Sequence, residues 1–340
     1  EILSGLVGSE MCIRDSYKSE NLIEPLVKDI LSAELRGSVC VLTYTNDEAL
    51  QVSGLLLKNG MPAQLIQDNS GFCLLKLDEI NFFLSRLHSV EDIFLIDDDV
   101  WDQAKKELQT VFQNSSKLEN CLGLIRDFET INPKRRYKSD LELFIRESKL
   151  NDFFGENGET IFVSTIHKVK GKEFDHVFLM LNNFNLFSDE RIRQLYVAMT
   201  RARRELTIHL NSDFLDGLSS EAVEHIEGKN DYLPPEELAI HLTHSDIWLD
   251  YFINRQPQIA QLRSGDTLYV RGDECLDGNG QSVLKFSRNF MSEHYERLHR
   301  QGYELKRAMV NFIVYWQSEK VAKEIKIILP ELFFERKKIS

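Results

Sequence analysis

The chain has 340 residues, 42% of them hydrophobic, enough to build a sizeable core and to suggest two or three domains. A formal net charge of -13 argues against a protein whose whole surface binds nucleic acid and leaves room only for a local basic channel. No apolar run reaches the roughly 18 residues of a membrane span, and residues 1–16 lack the basic start and apolar stretch of a signal peptide, so no membrane partner is expected. Cys12, Cys40, Cys73, Cys121 and Cys275 have no C-x-x-C spacing; they read as buried thiols of a reducing cytoplasm, with no disulfide framework and no metal site.

The chain opens at Glu1 rather than Met, which predicts a fragment or a processed product. Residues 1–16 resemble the translation of sequencing-adapter DNA and are expected to be disordered and outside the fold. Residues 20–35 read as a lead-in helix with Leu22, Ile23, Leu26, Ile30 and Leu31 on one face. Val39 to Thr43 is a buried-strand signal, Thr45 to Glu48 a helix start, Asn59-Gly60 a helix stop, and Ala63 to Ile66 a second short strand. Strand, helix, strand within about thirty residues is a βαβ unit, which favours a parallel sheet.

Between residues 75 and 150 the apolar spacing turns helical four times: Leu77 to Leu87, Val100 to Phe112, Leu118 to Phe128 and Asp140 to Leu150. The run Pro133 to Lys138 holds four cations and a tyrosine. It reads either as a solvated helix lead-in or as a contact for a nucleic-acid backbone.

Residues 160 to 210 hold the densest chemistry. Ile161 to Val163 and His176 to Leu181 are strand signals, so the turn His167 to Glu173 is expected at a strand's C-terminal edge, where open α/β sheets bind ligands. Ser188 is a candidate N-cap, and Ile192, Leu195, Tyr196 and Met199 give one apolar helix face. Arg201, Arg203 and Arg204 close that helix. Cations there suit the helix dipole, and with the neighbouring lysines they also suit an anion such as a nucleoside polyphosphate or a nucleic-acid backbone.

Two stretches carry a resemblance. Thr165-Ile166-His167-Lys168-Val169-Lys170-Gly171-Lys172-Glu173-Phe174 resembles motif V of the superfamily 1 DNA helicases of the UvrD/Rep type, and Gln194-Leu195-Tyr196-Val197-Ala198-Met199-Thr200-Arg201-Ala202 resembles their motif VI. The stretch Val41-Leu42-Thr43-Tyr44-Thr45-Asn46-Asp47-Glu48-Ala49 is similar to motif IV, with Tyr44 where the family usually has an arginine. The resemblance covers roughly residues 36 to 210.

It implies an α/β fold: a RecA-like parallel sheet in two parts, 17–74 and 159–212, with an inserted helical 2B-like subdomain over 75–158. It also implies ATP as cofactor. Arg201 would be the arginine finger, Glu173 would accept a hydrogen bond from the ribose, Gly171 would let the backbone approach the nucleotide, and Tyr44 would stack on the adenine or cover the cleft. Thr165 and His167 match positions that hold single-stranded DNA, with Lys168 and Lys170 close enough to assist. No G-x-x-x-x-G-K-S/T occurs, so the phosphate loop and the Mg2+ ligands are expected from a first motor domain of the same polypeptide that this chain lacks. Alone, the chain is expected not to hydrolyse ATP.

Residues 213–237 read as a linker and 238–340 as a separate small α+β domain, with a hairpin turn at Asp277 to Gly280, a helix over Ser287 to Gln301, and strands at Met309 to Trp316 and Glu324 to Leu329. The tail is similar to that of bacterial proteins joining a RecQ-like to a UvrD-like region. Two functions compete. One is the C-terminal part of a cytoplasmic, ATP-dependent DNA helicase or translocase of DNA repair, acting on single-stranded or partly duplex DNA. The other is a non-catalytic, helicase-like module that binds nucleic acid or a partner.

Overall fold

The computed structural model describes residues 10–15, 21–65, 73–87, 95–148, 161–169, 172–186, 188–215, 223–227, 234–317 and 323–337. The chain divides into two compact units, one of residues 1–68 and 157–239, the other of residues 69–156 and 240–340.

The first unit is built on a parallel sheet. Its strands are β1 (Glu10–Asp15), β2 (Val39–Thr43), β3 (Ala63–Leu65), β4 (Ile161–Thr165), β5 (Phe174–Leu181), β6 (Ala202–Leu210) and β7 (Val223–Glu227). They lie in the order β3-β4-β2-β5-β6-β1-β7, and every neighbouring pair is parallel. The apolar runs explain this arrangement. Val39 and Val41 of β2, with Phe178 and Met180 of β5, pack on the side of helices α1 (Ile23–Ser32) and α2 (Asn46–Lys58). Cys40 and Leu42, with Val177, Leu179 and Leu181, pack on the opposite side with Leu195, Ala198 and Met199, the buried stripe of the helix Asp189–Met199. Strands covered on both faces are apolar throughout rather than alternating.

Helix punctuation falls where the side chains place it. The Thr45 hydroxyl accepts from the Glu48 amide at 3.2 Å while the Glu48 carboxylate accepts from the Thr45 amide at 2.9 Å, a reciprocal box that starts α2. Gly60, at φ +74°, ends it.

The second unit joins helices to an antiparallel sheet. Helices α3 (Asp78–Arg86), α4 (Asp98–Val111), α5 (Leu118–Ile131) and α6 (Lys138–Glu147) surround Trp101, whose ring meets Phe83 edge-on at 5.2 Å and stacks on Phe128 at 5.9 Å. The strands β8 (Glu237–His241), β9 (Thr267–Arg271), β10 (Glu274–Leu276), β11 (Ser282–Lys285), β12 (Tyr303–Trp316) and β13 (Ile325–Arg336) form a six-stranded sheet in the order β11-β10-β9-β12-β13-β8.

Several expectations are corrected. Residues 75–158 and 238–340 are not two separate bodies, because a bridge between Leu77 and Val314, an ion pair between Lys326 and Asp78 at 2.7 Å, and a hydrogen bond from Ser264 to buried Glu79 at 3.2 Å join them. Residues 10–15, expected outside the fold, are β1 and pair with both β6 and β7. The expected linker 213–237 contains β7. Within the run Pro133 to Lys138, Arg136 pairs with Asp98 at 2.7 Å and lies over the Trp101 ring, and Lys138 donates to the Leu84 carbonyl at 3.0 Å; both cations are committed to the fold. Residues 287–301 are helical in two parts, a wide π-turn over Phe290–Tyr295 followed by a short α-helix over Glu296–Arg300.

Candidate functional site

The parallel sheet sorts the candidate residues onto two edges. Thr43 and Thr165 pair at the ends of β2 and β4, so Tyr44, Thr165 and His167 lie at the C-terminal edge. Phe174 pairs with Ala202 at the starts of β5 and β6, so Glu173 and Arg201 lie at the N-terminal edge. His176 is level with Val39. The levels of Phe174 and Thr43 are therefore about 20 Å apart at roughly 3.3 Å per residue. The turn expected to stay at the C-terminal edge begins there and crosses to the other. The structure thus brings Glu173 and Arg201 together and sets Tyr44, expected beside them, with His167 instead. Lys170, Gly171 and the side chain of Lys168 lie outside the described residues.

The helix α7 (Asp189–Met199) begins on the C-terminal side, where the Ser188 hydroxyl accepts from the Arg191 amide at 3.3 Å, and ends at Thr200 at the N-terminal edge. Arg201 folds back over that end. Its Nε donates to the Val197 carbonyl at 2.8 Å, one Nη to the Lys172 carbonyl at 3.2 Å, and the other to the Thr200 hydroxyl at 3.4 Å. The main chain is fixed by the Phe174 amide donating to the Arg201 carbonyl at 2.8 Å. Glu173 is exposed and pairs with Arg203 at 3.3 Å. Arg204 pairs with Asp175 at 3.6 Å. The Asp175 carboxyl is held below its ordinary range by hydrogen bonds from the Ser38 amide and hydroxyl, both at 2.9 Å. Three of the cations expected to form an anion site therefore already have oxygen partners from the chain itself.

The C-terminal edge is aromatic. Tyr44, half-buried, meets Phe184 edge-on at 5.3 Å and tilts toward the exposed His167 ring at 6.4 Å. Arg191 completes the group, its guanidinium 5.3 Å from the Tyr44 ring centre and 5.7 Å from that of Phe184, with a hydrogen bond to Asn185 holding it. Thr165 is 5% exposed, so its side chain belongs to the turn rather than to the surface. Behind the cluster, burial pushes the Glu48 carboxyl up. Phe184 and Arg191 were not among the sequence candidates. The available signal was that adjacent parallel strands set their C-terminal residues side by side, which puts the residues after β2 and β5 in one neighbourhood.

Among the described residues no group of three or more His, Cys, Asp or Glu side chains could hold a metal ion. Cys40, Cys121 and Cys275 are buried thiols, and burial pushes that of Cys275 up to about 12.

Comparison with known proteins shows three similarities. Residues 92–213 match the family described as the UvrD-like helicase C-terminal domain. A stretch of 101 residues, 28% of this chain, is 32% identical to the RecBCD enzyme subunit RecB of Chlamydia pneumoniae, of which it spans 10%. A solved structure described as the C-terminal domain of a possible DNA helicase from Lactobacillus plantarum WCFS1 aligns at 13% identity and a TM-score of 0.33, covering 66% of this chain and 90% of that one.

Proposed function

We propose, from the match of residues 92–213 to the UvrD-like helicase C-terminal domain family, that the chain supplies the second motor domain of an ATP-dependent DNA helicase or translocase. One observation carries this reading: a single rigid parallel sheet holds Arg201 and Glu173 at one edge and Tyr44, His167 and Arg191 at the other. A nucleotide at the first edge and a DNA strand at the second would be coupled through the sheet, so closure on ATP shifts the strand-holding cluster.

The residues present suit one side of a nucleotide. Arg201 offers guanidinium donors and Glu173 an acceptor, while the loop that cradles phosphates and the Mg2+ ligands would come from a first motor domain of the same polypeptide. In the observed arrangement Arg201 donates to neutral carbonyl oxygens. A phosphate oxygen is a stronger, charge-assisted acceptor, and exchanging one for the other turns a helix cap into an arginine finger. Glu173 must exchange Arg203 for a ribose hydroxyl, which is easy because an exposed ion pair contributes only about 0–1 kcal/mol. Bound Mg2+-ATP supplies the hydrolysable phosphoanhydride; the chain's own part is to bind, orient and neutralise charge.

At the other edge, Tyr44 and His167 offer ring faces to unpaired bases, and Arg191 offers charge to a phosphate. Thr165 shapes the turn that presents His167. The second reading, a binding module without turnover, is favoured by the three hydrogen bonds that Arg201 already makes within its own chain.

Separation of function tests the proposal. With the full chain and a fluorescent oligo-dT probe, Tyr44→Ala plus His167→Ala should weaken binding about tenfold or more, because base stacking is worth roughly 1–3 kcal/mol per base. Arg201→Ala without nucleotide should leave affinity within about twofold. DNA binding indifferent to the double substitution would remove the C-terminal edge from the DNA path.

A further inference from the structure

The second unit contains a cleft of about 1180 Å³ lined wholly by residues between Ile247 and Gln317. That volume is above the range of small-ligand sites, which run to about 1,000 Å³, and is room enough for several side chains of a peptide. Two of the three tryptophans of the chain lie on it, Trp248 at 50% exposure and the half-buried Trp316. A large exposed indole costs solvation and is usually retained where something covers it. One wall comes from the π-turn Phe290–Tyr295, through Met291 and Ser292. Such wide turns are rare and concentrate at functional sites.

The charge of the lining decides what fits. Asp250, Asp273 and Glu296 share the lining with Lys285 and Arg288, one carboxylate more than the cations, which disfavours a phosphate backbone. Lys285 already shows what the site stabilises. Its ammonium lies 5.9 Å from the Trp248 ring centre, pairs with Asp273 at 3.0 Å and Glu274 at 3.6 Å, and is held above the ordinary lysine range chiefly by the Asp273 hydrogen bond. A cation between an indole face and carboxylates is thus built into the rim. A guanidinium entering beside it could stack on the remaining indole surface and bind a carboxylate in two-point fashion.

The geometry points to a docking cleft for an arginine- or lysine-bearing segment of a partner polypeptide, held between Trp248, Trp316 and the three carboxylates. This goes beyond the motor-domain reading and does not depend on it.

Intrinsic fluorescence tests the cleft directly, because Trp101, the third tryptophan, is fully buried and the other two line the site. The full chain is titrated with acetylated tetra-arginine amide. A saturable fluorescence change is expected, with its midpoint raised about tenfold or more by Trp248→Ala and by Asp250→Asn combined with Glu296→Gln, the scale of one lost cation–π or charge-assisted contact. Asp140→Asn combined with Glu147→Gln, which removes the same two charges from the exposed side of α6, should leave the midpoint unchanged. An unsaturated response, equal midpoints across all variants, or displacement of the peptide by oligo-dT would each overturn the proposal, the last by assigning the cleft to nucleic acid.

Discussion

Gly37 shows how one residue can fix the geometry of an edge. Its φ of +104° is open to glycine and strained for other residues, and a Cβ there would stand 2.4 Å from the Asp175 carboxylate that Ser38 holds. Gly37→Ala should therefore destabilise the first unit by about 1–3 kcal/mol, read as a lower urea midpoint; an unchanged midpoint would mean that the Ser38–Asp175 contact gives way freely. Glu79 is the corresponding residue of the second unit. It is 1% exposed, accepts from Ser115 at 2.6 Å and Ser264 at 3.2 Å, and burial raises its carboxyl above the ordinary value of 4.5. The folded state then binds its proton more tightly than the unfolded chain does. Stability from this group is fully present below the unfolded value and is lost as pH rises through the raised one. Glu79→Gln should flatten that part of the stability profile, and a profile identical to wild type would show that another group sets it.

Secondary structure was legible where apolar period and punctuation agreed. Val39–Thr43 was read at its observed limits, and the box at Thr45 and Glu48 marked the start of α2. Thr45→Ala should cost about 1 kcal/mol in thermal or urea unfolding, while Leu179→Ala, at a fully buried position in the middle of β5, should cost about 2–5 kcal/mol. If the two cost the same, the central strand is not the packed core described. The misses have physical causes. After Ala202, β6 continues with Arg203, Arg204 and Glu205, all exposed, so its first half shows no buried-strand signal although Leu206, Ile208 and Leu210 are buried. β7, Val223–Glu227, holds two glutamates and a histidine among five residues, and a solvated edge strand needs no apolar run. β1 lies in the stretch expected outside the fold for its resemblance to translated adapter DNA, yet its backbone pairs with β6 and β7.

At the scale of the whole molecule, order along the chain misled the division into domains. The helices of 75–158 and the strands of 238–340 are far apart in sequence, and contacts that unite them, such as the Leu77–Val314 bridge, Lys326 with Asp78 and Ser264 with Glu79, are single pairs that no periodicity announces. The candidate site was legible as a set of residues and illegible as a layout. The motif resemblances named Arg201, Glu173, Thr165 and His167, but only the parallel register separated them into two edges about 20 Å apart. That separation is the substance of the motor proposal, because it gives nucleotide and DNA different ends of one rigid sheet.

The most direct test is DNA-stimulated ATP turnover by the motor that the proposal describes, this chain together with a first motor domain, wild type against Arg201→Ala at equal folded concentration. If Arg201 leaves its helix cap to meet the transferring phosphate, the substitution lowers turnover by about a thousandfold or more while DNA binding without nucleotide persists. Equal turnover in the two proteins, or none in either, would contradict the account and leave Arg201 as the cap of α7 that its bonds to Val197 and Lys172 already make it.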